Sequence, residues 1–378
     1  MRCELSDICV YRNERISTNA LNSHTYVSTE NMLPDKGGIT DAASLPTVSQ
    51  TSKFRYGDTL VSNIRPYFKK IWFAEYDGGC SNDVLVFSAK EGVDPKYLYY
   101  VLANDSFFAY STATSKGTKM PRGDKTSIMQ YQIEKVDSPT QKKIAAILSA
   151  LDEKIATNRA INDNLEQQAL AIFQQELLIE GDLPEGWTRS NLLDIANYLN
   201  GLAMQKFRPA DGENGLPVLK IKELRQGFCD ASSELCSPSI KPEYIVHDGD
   251  VIFSWSGSLL VDLWCGGTCG LNQHLFKVTS EKYPKWFYYI WTAHHLARFI
   301  AIAADKATTM GHIKREELAK AEVVIPNIAS MERIGGIMQP IYDLIISNRI
   351  ENRKLSMVRD PLLPQLMSGE IDVSDIQL

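Results

Sequence analysis

The sequence predicts an α+β protein built twice over: two similar mixed domains separated by two long helices that form an antiparallel coiled coil, an internal pseudo-twofold duplication. Three observations lead there. Segments of the chain recur at an offset of 190 residues, two long stretches carry an apolar seam at heptad spacing, and the remaining halves mix strand-like with helix-like patterns.

The repeat is read from matched strings. Gln141-Lys142-Lys143-Ile144-Ala145-Ala146-Ile147-Leu148 resembles Met331-Glu332-Arg333-Ile334-Gly335-Gly336-Ile337-Met338, and Lys116-Gly117-Thr118-Lys119-Met120 aligns with Lys306-Ala307-Thr308-Thr309-Met310. Upstream the register drifts by a few residues, as loop insertions would cause. Leu98-Tyr99-Tyr100 then matches Phe287-Tyr288-Tyr289, Gly57-Asp58 matches Gly249-Asp250, and Leu5-Ser6-Asp7-Ile8 matches Leu192-Leu193-Asp194-Ile195. The expected organisation is a first domain over 1–139, a first helix over 140–186, a second domain over 187–329, and a second helix with its tail over 330–378.

Taken in order, Phe54 to Ile64 reads as a turn at Gly57-Asp58 feeding a strand, and Asp83 to Phe87 as a further strand. Tyr97 to Tyr110 reads as one amphipathic helix whose aromatics belong to a core. In the first long helix Ile144, Leu148, Leu151, Ile155, Asn158, Asn162, Leu165, Ala169 and Ile172 alternate four and three residues apart, a coiled-coil seam. Thr140 is its expected start, and Gly181 with Pro184 its expected end. In the second half Tyr244 to Trp255 and His274 to Val278 read as strands, and Trp286 to Ala304 as a helix. The second seam reads Ile334, Met338, Ile341, Ile345, Asn348, Asn352 and Leu355, with Pro340 expected to kink or shorten it. Neither stripe has an obvious burial site except the other, and a globular domain between them favours antiparallel pairing within one chain. Asn on both seams is expected to fix register at some cost in stability.

Composition narrows the function classes. The 378 residues are 44% hydrophobic and 23% charged, with 40 Lys+Arg against 46 Asp+Glu, which rules out a globally basic nucleic-acid coat but not a local basic face. Residues 1–139 hold 16 basic and 16 acidic groups and residues 187–329 hold 15 and 15, so the helical segments carry the whole acidic excess. Seven Cys spread over a long chain fit a reducing compartment. Met1-Arg2-Cys3-Glu4 does not open a secretory signal, and Phe287 to Ala304 is broken by His294, His295 and Arg298. A cytoplasmic protein without a membrane span is expected.

Catalytic motifs are missing: no Walker A loop, no G-x-S-x-G elbow, no H-E-x-x-H, and no Asn-Pro-Pro-aromatic tetrapeptide. Asp152-Glu153-Lys154 looks like a nuclease triad but falls on the polar face of the heptad helix, where a solvated face is the better reading. Cys265 and Cys269 with His274 resemble half a zinc site without a second pair, so buried free thiols are expected, with no metal and no cofactor.

The basic loops are more informative. Ser115 to Lys125 carries Lys116, Lys119, Arg122 and Lys125 with Thr118 among two Gly and a Pro, a loop suited to phosphates, with Arg able to read guanine. Its counterpart carries Lys306, Thr308, Thr309, His312, Lys314 and Arg315. Arg65, Lys69 and Lys70 form a second cluster, whose positional match Ser254-Trp255-Ser256-Gly257-Ser258 is neutral and polar. Recurrence in both halves favours binding, and unlike chemistry points to two different ligands of one class.

Several strings resemble a known family, the specificity (S) subunits of Type I restriction-modification systems. They are Leu183-Pro184-Glu185-Gly186-Trp187, Gly249 through Gly257, Leu271-Asn272-Gln273-His274-Leu275-Phe276-Lys277-Val278, Thr308 through Ile313, and Leu362 through Ile371. In the first half Cys80-Ser81-Asn82-Asp83 stands in place of the Asn-Gln-His string. The resemblance covers nearly the whole chain. It implies two target-recognition domains reading a split sequence in double-stranded DNA, and adds Asn272, Gln273 and His274 to the candidate contacts. It also implies two modification subunits that methylate adenine with S-adenosylmethionine, and restriction subunits that translocate and cleave with ATP. The chain itself would catalyse nothing. A helix of about 38 residues at ~1.5 Å rise spans roughly 57 Å, enough to hold readers on separate turns of duplex. The alternatives are the specificity partner of another multisubunit restriction-methyltransferase and a coiled-coil scaffold that binds no DNA.

Overall fold

In the computed structural model, residues 2–305, 313–373 and 376 are described. The chain divides into two units, Met1–Lys154 with Ser356–Leu378, and Ile155–Leu355. Each unit therefore takes one mixed half and a stretch of both long helices.

In the first unit the strands Cys9–Tyr11, Val84–Ala89, Thr59–Ser62 and Ile71–Phe73 lie in that order in an antiparallel sheet. A second sheet runs Arg15–Ser17, Gln50–Phe54, Gly78–Cys80, Tyr26–Val27, the last pair parallel. The run Val84-Leu85-Val86-Phe87 is apolar throughout because both its faces are covered. Successive strand side chains point to opposite faces. Leu85 and Phe87 join a core with Tyr97, Leu98 and Phe107 from the helices, while Val84 and Val86 join another with Phe54 and Cys80 of the second sheet. A short ribbon, Arg2–Glu4 with Gln132–Glu134, ties the start of this half to its end.

The second unit repeats the plan. Asn197–Asn200, Leu275–Thr279, Val251–Ser254 and Leu260–Leu263 form the first sheet, and Thr188–Asn191 pairs with Glu322–Ile325 as the ribbon. Val251 and Phe253 face the helical core, whereas Ile252 faces Leu219, Cys269 and Leu271. The second sheets agree around their central strands, Gly78–Cys80 and Cys269–Leu271, each between one parallel and one antiparallel neighbour. They differ in the outer strand: Arg15–Ser17 adds beside the antiparallel neighbour, Leu235–Cys236 beside the parallel one.

Two helices expected to be continuous are each divided. Tyr97–Tyr110 is part of Pro95–Ala103 and Asp105–Ala113, because Asn104 leaves helical geometry and its side chain accepts from Ser106 N at 3.0 Å, capping the second piece. Trp286–Ala304 likewise divides into Lys285–His294 and Leu296–Asp305 at His295, whose Nε2 lies 2.8 Å from Glu322 O.

The first long helix is Ser138–Glu176, 39 residues, and the second Ile328–Ser368, 41 residues. The first starts before Thr140 because Asp137 Oδ1 caps Thr140 N at 3.0 Å, and it ends ten residues short of 186, leaving a connection through Gly181. Pro340 does not shorten the second. Proline inside a helix costs ~3 kcal/mol, and burial of Met338, Ile341 and Ile345 around it in the helical core outweighs that.

Within the second unit the two helices run antiparallel: Asn158 pairs with Asn352, Asn162 with Asn348, and Glu176 with Arg333. The seam is not buried only helix on helix, however. Ile144 and Leu148 join the first unit's core with Tyr97, Leu363 and Leu366, and Ile334, Met338, Ile341 and Ile345 join the second unit's core with Trp286 and Phe287. Leu151, Leu165 and Leu355 are half-buried, and Ile155 is buried. The wide aromatic surface of each mixed half gives these outer turns a second burial site.

Candidate nucleic-acid interface

The two basic clusters of the first half are one surface. Arg122 forms antiparallel bridges with both Ile64 and Lys116, Arg65 N donates to Pro121 O at 2.8 Å, and Gly123 N donates to Asn63 O at 3.1 Å. Gly123 is required there, since a Cβ would stand 2.8 Å from Asn63 Oδ1 and from Ile128 Cδ1. Asn63 N in turn donates to Asp83 O at 2.8 Å, which adds the loop Ser81-Asn82-Asp83 to the same face.

The cations on this face are not equivalent. Lys116 pairs with Asp124, which also caps the helix Lys125–Met129 by accepting from Ser127 N at 2.9 Å. The Lys116 ammonium and the Ser127 amide hold the Asp124 carboxyl down at about 2. Lys69 binds Asp105 at 2.9 Å, and Lys70 donates to Thr29 O at 2.7 Å, where burial pushes its pKa down. Lys69 and Lys70 thus brace the fold. Thr118, Lys119, Arg122 and Lys125 are exposed, and Lys119 and Lys125 carry no ion pair among the described residues. Arg65 takes the left-handed conformation at φ 51°, and its Nε is buried with no hydrogen-bond partner among the described residues.

The equivalent place in the second half has the same backbone logic and different chemistry. Ile313 N donates to Trp255 O at 2.9 Å, as Gly123 N does to Asn63 O. Ser254 is fully buried and its hydroxyl donates to Ser258 O at 2.9 Å, so it shapes the loop. Ser256 Oγ lies 3.1 Å from His274 Nδ1, and Gln273 Nε2 lies 3.3 Å from His274 Nε2. With the Gln273 amide donating, the ring proton sits on Nδ1 and is donated to Ser256 Oγ, freeing the hydroxyl proton for an outside acceptor. Asn272 is buried and its Oδ1 accepts from His274 N at 3.3 Å. Trp255 Nε1 donates to Asn200 Oδ1 at 3.0 Å. Lys314 and Arg315 are exposed, Arg315 reaching Tyr198 O at 3.5 Å, while Lys306, Thr308, Thr309 and His312 lie outside the described residues.

Sequence reasoning did not place Arg15, Asn82, Asp83 or Asn200 beside the candidate contacts, where the structure sets them. The signal for the first half was the string Cys80 to Asp83: Ser81–Asp83 and Asn272–His274 occupy the same connection, between the central strand of the second sheet and the next strand.

The chemical decoys are structural. Asp152 is not simply solvated: it accepts from Tyr100 Oη and from Arg359 Nη1, each at 2.7 Å. Cys265 and Cys269 are buried free thiols, and no metal-binding cluster occurs among the described residues. Nor is any helix among them long and apolar enough to cross a membrane.

Residues 2–167 and 184–356 each match the profile of the Type I restriction modification DNA specificity domain. The chain belongs to that family. It is 26% identical over 313 residues to the Type I restriction enzyme MjaIX specificity subunit of Methanocaldococcus jannaschii, covering 76% of this chain and 71% of the relative. It is 21% identical to the HindI specificity subunit of Haemophilus influenzae across 97% of this chain and 98% of that one. The S subunit of a Type I restriction-modification system from M. genitalium shares the fold, with a TM-score of 0.64 at 13% identity over 99% of this chain and 96% of that one. As a Type I specificity protein with two copies of the family domain, the chain has a role in DNA sequence specificity. The two faces described above are the like-placed loop clusters of those two copies.

Proposed function

We propose that each face reads one half of a bipartite duplex target, and that the paired helices set the distance between halves. The observation that carries this is the recurrence of one loop scaffold with different side chains. The first face offers Arg122, Lys119 and Lys125, the second Ser256, Gln273 and His274. A shared scaffold with unlike groups suits two different sequences in the same polymer, phosphate contacts giving register and base contacts giving identity. Two modification subunits would methylate adenine and restriction subunits would cleave, leaving this chain to supply the address. The test is to map methylated adenines in cells carrying this chain with its modification subunit. A split motif with a fixed gap is expected; a continuous motif, or none, would overturn the reading.

A further inference from the structure

The connection Ser81-Asn82-Asp83 presents two acceptors, each holding an arginine. Asn82 Oδ1 accepts from Arg15 Nη1 at 3.0 Å, and Asp83 Oδ1 meets Arg122 Nη2 at 3.1 Å. The backbone fixes Asp83: its N–H donates to Ser81 Oγ at 3.3 Å and its carbonyl accepts from Asn63 N. The side chains of Asp83 and Arg122 stay 36% and 57% exposed, so the pair adds little to stability. Asp83 also borders an open recess of ≈ 380 Å³ with Tyr26, Ser28, Asn31, Asp41 and Ser81.

A carboxylate on a face that meets phosphates is electrostatically unfavourable. Its placement has a chemical use in the major groove. A carboxylate accepts from cytosine N4 or adenine N6, but opposite guanine O6 or thymine O4 it faces another acceptor with no proton between them. Arg122 uses one nitrogen on Asp83 and keeps donors for a neighbouring base.

We propose that Asp83 is a specificity-determining residue of the first half, whose carboxylate selects a base bearing an exocyclic amino group and rejects keto bases at one position. The proposal rests on the reading of this face as DNA-contacting. The test selects sequences from a random duplex library with the full chain and its modification subunit. Wild type is expected to prefer amino over keto bases at one position about tenfold, and the enriched base tells cytosine from adenine. Asp83→Asn, whose amide also donates, brings that preference within about twofold and leaves the other positions unchanged, while binding to random duplex tightens because a negative charge is gone. Asp83→Glu keeps the amino preference. Unchanged base preferences in Asp83→Asn, with only uniformly tighter binding, overturn the role of Asp83 and leave the DNA-reading face intact. A wild-type chain that selects no sequence overturns both.

Discussion

Asn348 donates its side-chain amide to Asn162 Oδ1 at 2.9 Å, both residues being buried, while Asn162 Nδ2 donates across to Ile345 O at 3.2 Å. One turn away Asn158 donates to Asn352 Oδ1 at 2.9 Å and to Glu351 at 2.7 Å. In this register the side-chain nitrogens of Asn158, Asn162 and Asn348 each find an acceptor on the facing helix; a slip of one heptad would set Asn against an aliphatic residue. Asn162→Ala strands the Asn348 amide and is expected to cost about 1–3 kcal/mol in urea unfolding. The double change to Leu at 162 and 348 is expected to recover that loss. If both changes prove equally harmful, the amide pair is not what makes the single change costly.

Asp124 carries a pH dependence. Its carboxyl lies at about 2 in the folded chain, below the ~3.9 of an unfolded aspartate. Its hold on Lys116 and Ser127 is therefore fully present above about pH 4 and lost as the pH falls toward 2. Amide exchange across 116–127, after correction for its intrinsic pH dependence, is expected to be flat from pH 5 to 8 and to rise below pH 4. Asp124→Asn should show the faster exchange already at neutral pH. A wild-type profile that rises near pH 6 would require another group.

The cysteines differ in reactivity. Burial pushes Cys9 and Cys80 up to about 12 and Cys265 up to about 11, and also raises Cys3 and Cys236. Cys229 is lowered, because the Cys269 thiol donates a hydrogen bond to it. Iodoacetamide at pH 8 is expected to alkylate Cys229 first, read by peptide mass spectrometry. Cys269→Ala removes the donor and should slow that labelling. Equal rates at Cys229 and Cys3 would count against the hydrogen bond.

Much of the fold was legible because its signals are local. The seam from Ile144 to Ile172 depends only on spacing, and so do the Asn positions that later pair. Strand runs such as Val84 to Phe87 announce themselves by composition, although nothing in them says which neighbour covers each face. The helix breaks were hidden at Asn104 and His295, residues whose capping or tertiary bonds cannot be inferred from an apolar period. The site was legible only as clusters. Composition counts Lys69, Lys70 and Lys116 as cations, but Asp105 and Thr29, the partners of Lys69 and Lys70, come from other parts of the chain, and only the folded loop turns Lys116 onto Asp124. Asp83 and Asn82 look unremarkable until strand pairing sets them beside Arg122 and Arg15.

Those partners are expected to separate the first face's cations by function. Lys119→Ala and Lys125→Ala are expected to weaken binding to all duplexes and to lower the slope of log K against log salt by about 0.9 each. Arg122→Ala relaxes one base position instead. Lys70→Ala should leave the slope unchanged and lower stability, since its ammonium holds Thr29 O. A titration of each variant across a salt series measures both quantities. A slope change for Lys70→Ala equal to that for Lys119→Ala would mean that it also reaches phosphate.

The paired helices are expected to act as a ruler. Deleting one heptad from each, in the facing stretches around Asn158 and Asn352, removes about 10.5 Å at ~1.5 Å per residue. At ~3.4 Å per base pair that is a gap about three base pairs shorter. The half-sites themselves should not change, because the loops proposed to read them lie in the mixed halves. Deleting from one helix only puts the two seams out of step and is expected to destabilise the chain rather than shift the gap. Methylation mapping of the double deletion distinguishes the cases. An unaltered gap would mean that the distance between half-sites is fixed by something other than helix length.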